Sequence, residues 1–217
     1  MDAPISPETI SRMLQGINRY NPENLAVLEK HVDWQVHSGS YDLPANLAVL
    51  KLYQFNPAYF QTQSVCQILL KALSTIPSPD FSLCTSLIDQ NQQEDPSIGR
   101  LLLLHHLIET CKFTHFWQEV NATPDLISGV AGLEEAVRKF ICHVVSVSHQ
   151  NIDIEDLRAI LGDLNEQELE VWIERCGWKQ KEGGLISVAN HEEKVKTKNI
   201  VEKVGFEKVQ NVMASTC

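Results

Sequence analysis

Four side chains that can bind a metal or carry a proton lie close together in the segment HHLIETCKFTH. They are His105, His106, Cys111 and His115. Zinc is commonly bound by histidine and cysteine, but this spacing matches neither an HExxH element nor a paired CxxC element. The adjacent histidines would also point to different faces of a helix. We therefore expect two partly buried histidines and a core thiol here, and no metal site.

The segment GVAGLEE has two glycines before a helix, as phosphate-binding loops do. It lacks a third glycine and a Lys-Ser/Thr pair, and its two glutamates stand where an anion would bind. The chain contains no GxSxG element, and no nucleophile and base can be paired from the sequence. We expect no catalytic residues, no cofactor and no enzymatic activity.

The composition is that of a globular protein whose negative net charge disfavours binding to nucleic acid. Hydrophobic residues make up 43% of the 217 residues, and the formal net charge is −10, which repels nucleic acid. The six cysteines are scattered along the sequence, as expected for reduced, buried thiols. The start, MDAPISPETI, has no secretory signal, and the longest apolar run, LLLLHHLI, is too short to cross a membrane. We expect a soluble cytoplasmic protein, with the nucleus left open as a second location.

The pentapeptide NLAVL occurs twice, at 24–28 and 46–50, each time two residues after a proline. The two copies start one helix and one turn apart, which is shorter than a tetratricopeptide or HEAT unit. The pair is either a true duplication or chance. Four further amphipathic stripes follow, and no stretch alternates with period two. We predict a mostly α protein in which 1–130 form a HEAT-like helical-repeat layer, with the LLLL helix at its centre and Asp80 capping the helix before it.

The pattern changes in the second part of the chain. The segment LEEAVRKFICHVVSVSHQ is a long amphipathic helix. It is followed by a short helix capped by Asp153, a tight turn, and a second helix with a capping box at Asn165 and Glu168. Two short strands around a Glu-Gly-Gly turn and a final helix at 200–209 complete the chain. This order predicts a winged-helix domain at 131–217, entered through the long helix.

Many winged helices bind DNA through their second helix, so a nucleic-acid-binding protein acting alone is the alternative function. Here the second helix, NEQELEVWIERC, has four glutamates and one arginine, and phosphates would repel it. The basic cluster KVKTK is more typical of a solvated face, with a glancing RNA contact as the weaker alternative. We expect no direct contact with nucleic acid.

Several segments resemble the PCI-related family. They include RYNPENLAVLE, YDLPANLAVLKLYQFNPAYFQT, VRKFICHVV and KTKNIVEKVGF. Members of this family are subunits of the proteasome lid, the signalosome and eukaryotic translation initiation factor 3, and the segments are most similar to the initiation-factor branch. The resemblance implies a PCI-like fold and a small, non-catalytic scaffold subunit that takes part in assembly of the pre-initiation complex. Its implied partners are the other subunits of the factor, chiefly the l subunit, and the small ribosomal subunit through the complex. Membership of the proteasome lid or the signalosome is the alternative.

The strand in GGLISVAN is the candidate partner interface. It has one apolar face and neither proline nor charge, so it lacks the usual devices that block pairing at a strand edge. An unpaired edge of the hairpin would be a template for a strand of another chain. The resemblance favours such pairing, because neighbouring PCI subunits join through their winged helices. The alternative is that the strand only closes its own hairpin over two tryptophans. The predicted interface residues are Leu185, Ile186, Ser187 and Val188.

Two aromatic residues earlier in the chain, Trp34 and Tyr59, have the side chains that often anchor a partner. The sequence does not distinguish such an anchor from local packing against the helices. Both alternatives stay open.

Overall fold

The computed structural model describes residues 6–127, 130, 132–181, 183–189, 209 and 213. Short 3-10 helices at Gly16–Tyr20, Pro22–Asn24 and Pro57–Tyr59 accompany the regular elements. The α-helices are α1 (Pro7–Met13), α2 (Leu25–Ser38), α3 (Leu43–Phe55), α4 (Thr62–Leu73), α5 (Asp80–Thr85), α6 (Gln90–Gln93), α7 (Pro96–Glu109), α8 (Phe113–Ala122), α9 (Pro124–Ile127), α10 (Leu133–Ser148), α11 (Ile154–Ile160) and α12 (Glu166–Cys176). The strands are β1 (Asn151–Asp153), β2 (Lys179–Gln180) and β3 (Leu185–Ser187). The predicted mostly α fold class is confirmed.

The helices of the first part pack around α4, which contacts α2, α3, α5, α7 and α10. The first NLAVL segment begins α2 and the second lies within α3, and these two helices lie against each other. Their equivalent leucines, Leu28 and Leu50, are both buried. A buried amide pair joins the same two helices: Gln35 Nε2 donates to Asn46 Oδ1 at 2.9 Å, and Asn46 Nδ2 donates to Gln35 Oε1 at 3.3 Å. The Asp42 backbone N–H also donates to Gln35 Oε1, at 2.8 Å.

Aspartates start two of these helices. Asp42 accepts a hydrogen bond from the Ala45 N–H, and Asp95 accepts one from the Ser97 N–H, so each satisfies a donor that a helix N-terminus leaves free. The prediction that Asp80 caps α5 is wrong, because Pro79 is the cap residue and Asp80 is the first helical residue. Its buried carboxylate instead accepts a hydrogen bond from the Tyr41 hydroxyl at 2.9 Å and one from Ser78.

Helix α7 lies between α4 and α8. Leu101 and Leu104 are fully buried in the core, and Leu102 is partly buried. Leu103, however, is 42% exposed, so the LLLL run is not enclosed on every side. The run therefore has a solvent face, and Leu101 and Leu104 mark its core-facing side.

A tryptophan on α8 joins the helices of the first part to the segment after α10. Trp117 Nε1 donates to the Ile160 carbonyl at 2.9 Å, and Arg138 Nε donates to the Leu161 carbonyl at 3.1 Å. The Arg138 guanidinium lies 4.8 Å from the centre of the Trp117 ring. Gly162 packs against the indole with a φ of +93°, and a Cβ there would lie 2.8 Å from Trp117 Cδ2. We call Trp117, Arg138, Ile160, Leu161 and Gly162 the Trp117 junction.

The last part of the described chain runs α10, β1, α11, α12, β2 and β3. The capping box at Asn165 and Glu168 is confirmed, and so is Asp153 as the cap of α11. The strands form an antiparallel sheet in the order β1, β3, β2. The HEAT-like and winged-helix assignments and the division at 130/131 stay predictions. The predicted final helix and the KVKTK cluster lie outside the described residues, apart from Val209.

Candidate partner interfaces

The predicted interface residues occupy β3 and the position after it. Leu185 is 43% exposed, and Ile186 is fully buried. Ser187 and Val188 are partly buried, and Val188 packs against the core. Leu185 is therefore the member of this group whose side chain is most accessible to a partner.

The prediction that β3 has an unpaired edge is wrong, because it is the central strand of the sheet. On one side, Asn151, Ile152 and Asp153 of β1 oppose Ser187, Ile186 and Leu185. On the other side, Lys179 and Gln180 of β2 oppose Ser187 and Ile186. The strand β1 was not predicted, and it occupies the edge that the hairpin alone would leave free. Contact of Leu185, Ile186, Ser187 and Val188 with a partner stays a prediction, and it now depends on the surface around them.

The outer strands of the sheet are β1 and β2. The side chains of Lys179 and Gln180 on β2 and those of Asn151 and Asp153 on β1 are exposed. A lysine on an edge strand disfavours pairing with another chain, so β2 is the less suitable edge. The strand β1 has no lysine and places the buried Ile152 between two polar residues. The strand β1 nevertheless carries the charged Asp153, and Lys181 Nζ donates to Asn151 Oδ1 at 3.0 Å, so both outer strands have charged groups beside them.

A second surface lies at the other end of the chain, where four exposed apolar side chains lie on α3 and on the 3-10 helices that pack against it. Phe55 ends α3 and is 62% exposed, and Ile17 in a preceding 3-10 helix is 89% exposed. The Tyr20 and Phe55 rings meet edge-on with their centres 5.8 Å apart. Tyr59 is also exposed and lies in the 3-10 helix that packs on α3. We call Ile17, Tyr20, Phe55 and Tyr59 the N-terminal apolar patch.

Two cations lie beside Tyr20 of the N-terminal apolar patch, although the chain as a whole has a charge of −10. The Arg19 guanidinium lies 5.8 Å from the centre of the Tyr20 ring, and Lys51 Nζ lies 6.0 Å from the same centre. An exposed aromatic cluster with cations beside it suits a partner that carries both apolar and acidic side chains.

Of the two aromatic anchors left open by the sequence, Tyr59 belongs to this patch. Trp34 stacks on His31, with ring centres 5.5 Å apart. His31 Nε2 lies 3.2 Å from Asp42 Oδ2, and this hydrogen bond is the main reason that the pKa of Asp42 is lowered. Trp34 thus covers a histidine–aspartate pair between α2 and α3, and it is also 37% exposed, so both alternatives for Trp34 stay open.

The histidine and cysteine side chains of HHLIETCKFTH do not converge. His105 stacks on Phe81 with ring centres 4.0 Å apart, and burial lowers the pKa of His105. His106, Cys111 and His115 are exposed, so the expected core thiol and the second partly buried histidine are wrong. Cys111 lies just after the end of α7 and has a φ of +56°. Within the described residues, no three histidine, cysteine or acidic side chains are placed to share a metal ion.

The acidic character of α12 persists in three dimensions. Its four glutamates are exposed, and Arg175 Nη1 lies 3.0 Å from Glu135 Oε1 on α10. The one arginine of the helix is therefore already paired with an acid of the same chain.

In the part of the chain that the structure describes, none of the helices has both the length and the hydropathy of a membrane-spanning helix.

A mostly helical chain with a small sheet and two candidate binding surfaces has the features of an interaction protein. Residues 59–199 match the model of the CSN8/PSMD8/EIF3K family, and the chain belongs to this family, as predicted from its sequence. It is 54% identical over 207 residues to eukaryotic translation initiation factor 3 subunit K of Xenopus laevis, with 95% of each chain covered. It is 52% identical over 207 residues to the Homo sapiens subunit K, again with 95% of each chain covered. Identity to the Bombyx mori subunit K is 42% over 207 residues, which cover 95% of this chain and 94% of the relative.

Proposed function

We propose that this chain is a subunit of eukaryotic translation initiation factor 3 and serves there as a non-catalytic scaffold. The observation that carries the proposal is the 54% identity to a subunit K over 95% of both chains. This identity extends over 207 residues, so it supports the same assembly for both chains. The proposed setting is the cytoplasm, where the factor helps to assemble the pre-initiation complex on the small ribosomal subunit.

The two candidate surfaces support a scaffold role. A scaffold has to bind at least two neighbours, and the sheet and the N-terminal apolar patch lie on different elements of the chain. We assign the sheet, with the exposed Leu185 and the outer strand β1, to the l subunit. The patch is left for a second subunit. The acidic α12 argues against direct contact with RNA or DNA, so the ribosome is reached through the other subunits.

Co-purification from the protein's own cells tests the proposed assembly. We expect the tagged chain to bring down the subunits of translation initiation factor 3 in stoichiometric amounts. Recovery of the proteasome lid or the signalosome would assign the chain to another branch of its family. A gel-shift assay with duplex DNA and single-stranded RNA at physiological salt tests the stand-alone alternative, and we expect no shift at micromolar protein.

The sheet surface is tested with a matched pair of variants. Leu185→Asp places a charge in the proposed contact with the l subunit, and we expect at least about tenfold weaker binding, or about 1.4 kcal/mol. Leu83→Asp is the control, because Leu83 is similarly exposed but lies on α5. Titration of each purified variant with the purified l subunit gives the two affinities. Equal affinities for Leu185→Asp and the unmodified chain would contradict the assignment of the sheet.

A further inference from the structure

Two cysteines that are far apart in the sequence lie against each other in the structure. Cys142 is on α10 and is 5% exposed, and Cys176 is the last residue of α12 and is partly exposed. The Cys142 thiol donates a hydrogen bond to the Cys176 sulfur. The two thiols therefore lie within hydrogen-bonding reach of each other, and both line the same cavity.

The end of α12 is held on α10 by further contacts. Arg175, next to Cys176, forms its 3.0 Å ion pair with Glu135, which lies on α10 about two turns before Cys142. The Arg175 guanidinium also lies over the Trp172 ring, 5.1 Å from its centre. The thiols and the Arg175–Glu135 ion pair thus both connect α10 to α12, whereas the Arg175–Trp172 contact lies within α12.

A small reagent can reach the two thiols from outside. Cys142 and Cys176 both line a cavity of about 330 Å³ that opens to solvent, together with His143, Trp172 and Trp178. The tryptophans make part of its wall apolar, and its two lining cations, Arg175 and Lys139, are both paired with Glu135.

We propose that Cys142 and Cys176 form a covalent modification site, at which a low-molecular-weight disulfide such as glutathione disulfide oxidises the pair to an intramolecular disulfide that joins α10 to α12. This proposal is independent of the initiation-factor assignment, because it depends only on the two thiols and their cavity.

The reaction proceeds in two exchange steps. Deprotonated Cys176 attacks one sulfur of glutathione disulfide, which breaks the S–S bond, forms a mixed disulfide and releases one glutathione thiolate. Cys142 then loses its proton to solvent and attacks the Cys176 sulfur, which releases the second glutathione. In total two protein thiols are oxidised, and one glutathione disulfide is reduced to two glutathione molecules.

Cys176 is the first nucleophile for two reasons. It is the more accessible thiol, and it accepts the hydrogen bond from Cys142, which stabilises its thiolate. Burial raises the pKa of both thiols, so most of each stays protonated at neutral pH. The thiolate is the attacking species, so the rate of oxidation should rise with pH.

The test is oxidation of the purified, folded chain with glutathione disulfide at pH 7 and pH 9. After the remaining thiols are alkylated, we expect a monomer in which Cys142 and Cys176 have together lost two hydrogen atoms and carry no alkyl group. Its tryptic map should contain the disulfide-linked peptide that joins Cys142 to Cys176. The joined peptide should form faster at pH 9. A map in which both residues are alkylated, or carry glutathione, in otherwise fully oxidised protein would overturn the proposal.

Three serine variants make the test specific. Cys142→Ser and Cys176→Ser should each abolish the intramolecular product, and Cys176→Ser should also abolish the mixed disulfide on Cys142. Cys111→Ser is the matched control, because Cys111 is exposed and lies away from the pair, and it should leave the joined peptide unchanged.

A second reagent keeps the proposal falsifiable if a serine variant folds poorly. Phenylarsine oxide bridges two neighbouring thiols, forming two As–S bonds and releasing one water. We expect one bridged arsenic per folded chain, located on the peptides of Cys142 and Cys176. Failure of folded wild-type protein to bind it at these residues would overturn the proposal.

Discussion

The helices of the first part and the sheet of the last part expose different kinds of group to a partner. A helix satisfies its backbone hydrogen bonds internally, so the first part can be recognised only through side chains such as those of the N-terminal apolar patch. The sheet ends in outer strands, and β1 can pair through its backbone. The difference teaches that the two regions offer two modes of recognition. The patch offers side chains, and the sheet also offers the backbone hydrogen-bonding groups of an outer strand.

The interiors of the two regions differ as well. The first part contains a buried polar connection, the Gln35–Asn46 pair, between its first two long helices. The last part connects α10 and α12 through an ion pair and two thiols. An amide pair does not titrate, whereas thiols react, so the two connections differ in their chemical reactivity.

The largest effect is expected from a charge in the helical core. Leu101→Asp places a carboxylate at a fully buried position of α7, where an unpaired charge costs several kcal/mol. We expect loss of soluble expression or a chain without cooperative unfolding. Leu103→Asp is the control on the same helix, because Leu103 is exposed, and it should stay within about 0.5 kcal/mol of the parent. Soluble yield and circular dichroism measure both, and a well-folded Leu101→Asp variant would show that α7 is not part of the core.

The Trp117 junction should be the next most sensitive point, because it connects the two regions. Gly162→Ala adds a Cβ only 2.8 Å from Trp117 Cδ2 and also strains a residue with a φ of +93°. We expect a loss of about 3 kcal/mol in urea unfolding.

Gly177→Ala is the matched control for that change. Gly177 also has a positive φ, +70°, but a Cβ there would meet no atom within 4 Å. It should therefore cost about 1 kcal/mol, from backbone strain alone. Equal losses in the two alanine variants would show that the indole moves aside freely and that the regions are loosely joined.

A smaller effect should follow when the buried amide pair is broken. Gln35→Leu leaves both the Asn46 side chain and the Asp42 N–H without their partner, so we expect a loss of about 2–3 kcal/mol. Asn46→Leu leaves the Asp42 hydrogen bond intact and should cost about 1–2 kcal/mol. Urea unfolding of each variant and of the double variant measures the coupling. Strict additivity in the double variant would mean that the two amides do not act as a pair.

The smallest expected effect is on acid stability. The hydrogen bond with His31 lowers the pKa of Asp42 in the folded chain, so the ionised form favours folding. This contribution is fully present above the ordinary pKa of an aspartate and is lost as the pH falls through the lowered value. Asp42→Asn keeps a side-chain oxygen that can cap α3 but removes the titrating group. We expect a shallower fall in stability as the pH drops below about 4, the ordinary pKa of an aspartate. Urea titrations at several pH values measure the slope, and an unchanged slope would show that other carboxylates control acid unfolding.

The sequence predicted those elements whose local signals agree with their packing. The stripe of α2 and the capping box of α12 are examples, because periodicity and cap chemistry act within a few residues. The strand β1 was missed because three residues carry little periodicity, and its pairing with β3 is set by the fold as a whole. The role of Asp80 was misassigned as a helix cap because its carboxylate instead accepts a hydrogen bond from Tyr41, which lies 39 residues earlier in the chain.

The candidate surfaces were predictable only in part. Tyr59 was recognised as a possible anchor, but its neighbours in the patch come from separate segments and carry no common motif. The contact between Cys142 and Cys176 was invisible for the same reason, since nothing in the spacing of the six cysteines distinguishes these two. Contacts between segments that are far apart in the chain become visible only in the folded structure.

The Trp117 junction also has a consequence for the order of events during synthesis. The indole donor and its carbonyl acceptor are separated by 43 residues. At about 5–20 residues per second, a ribosome delivers Ile160 roughly 2–9 s after Trp117. Helix α8 can pack on α7 in that interval, and Arg138 of α10 emerges within it, but the indole N–H has no acceptor until the end of α11 has emerged. The nascent chain therefore carries a tryptophan whose N–H lacks its final acceptor, and docking of α11 supplies it.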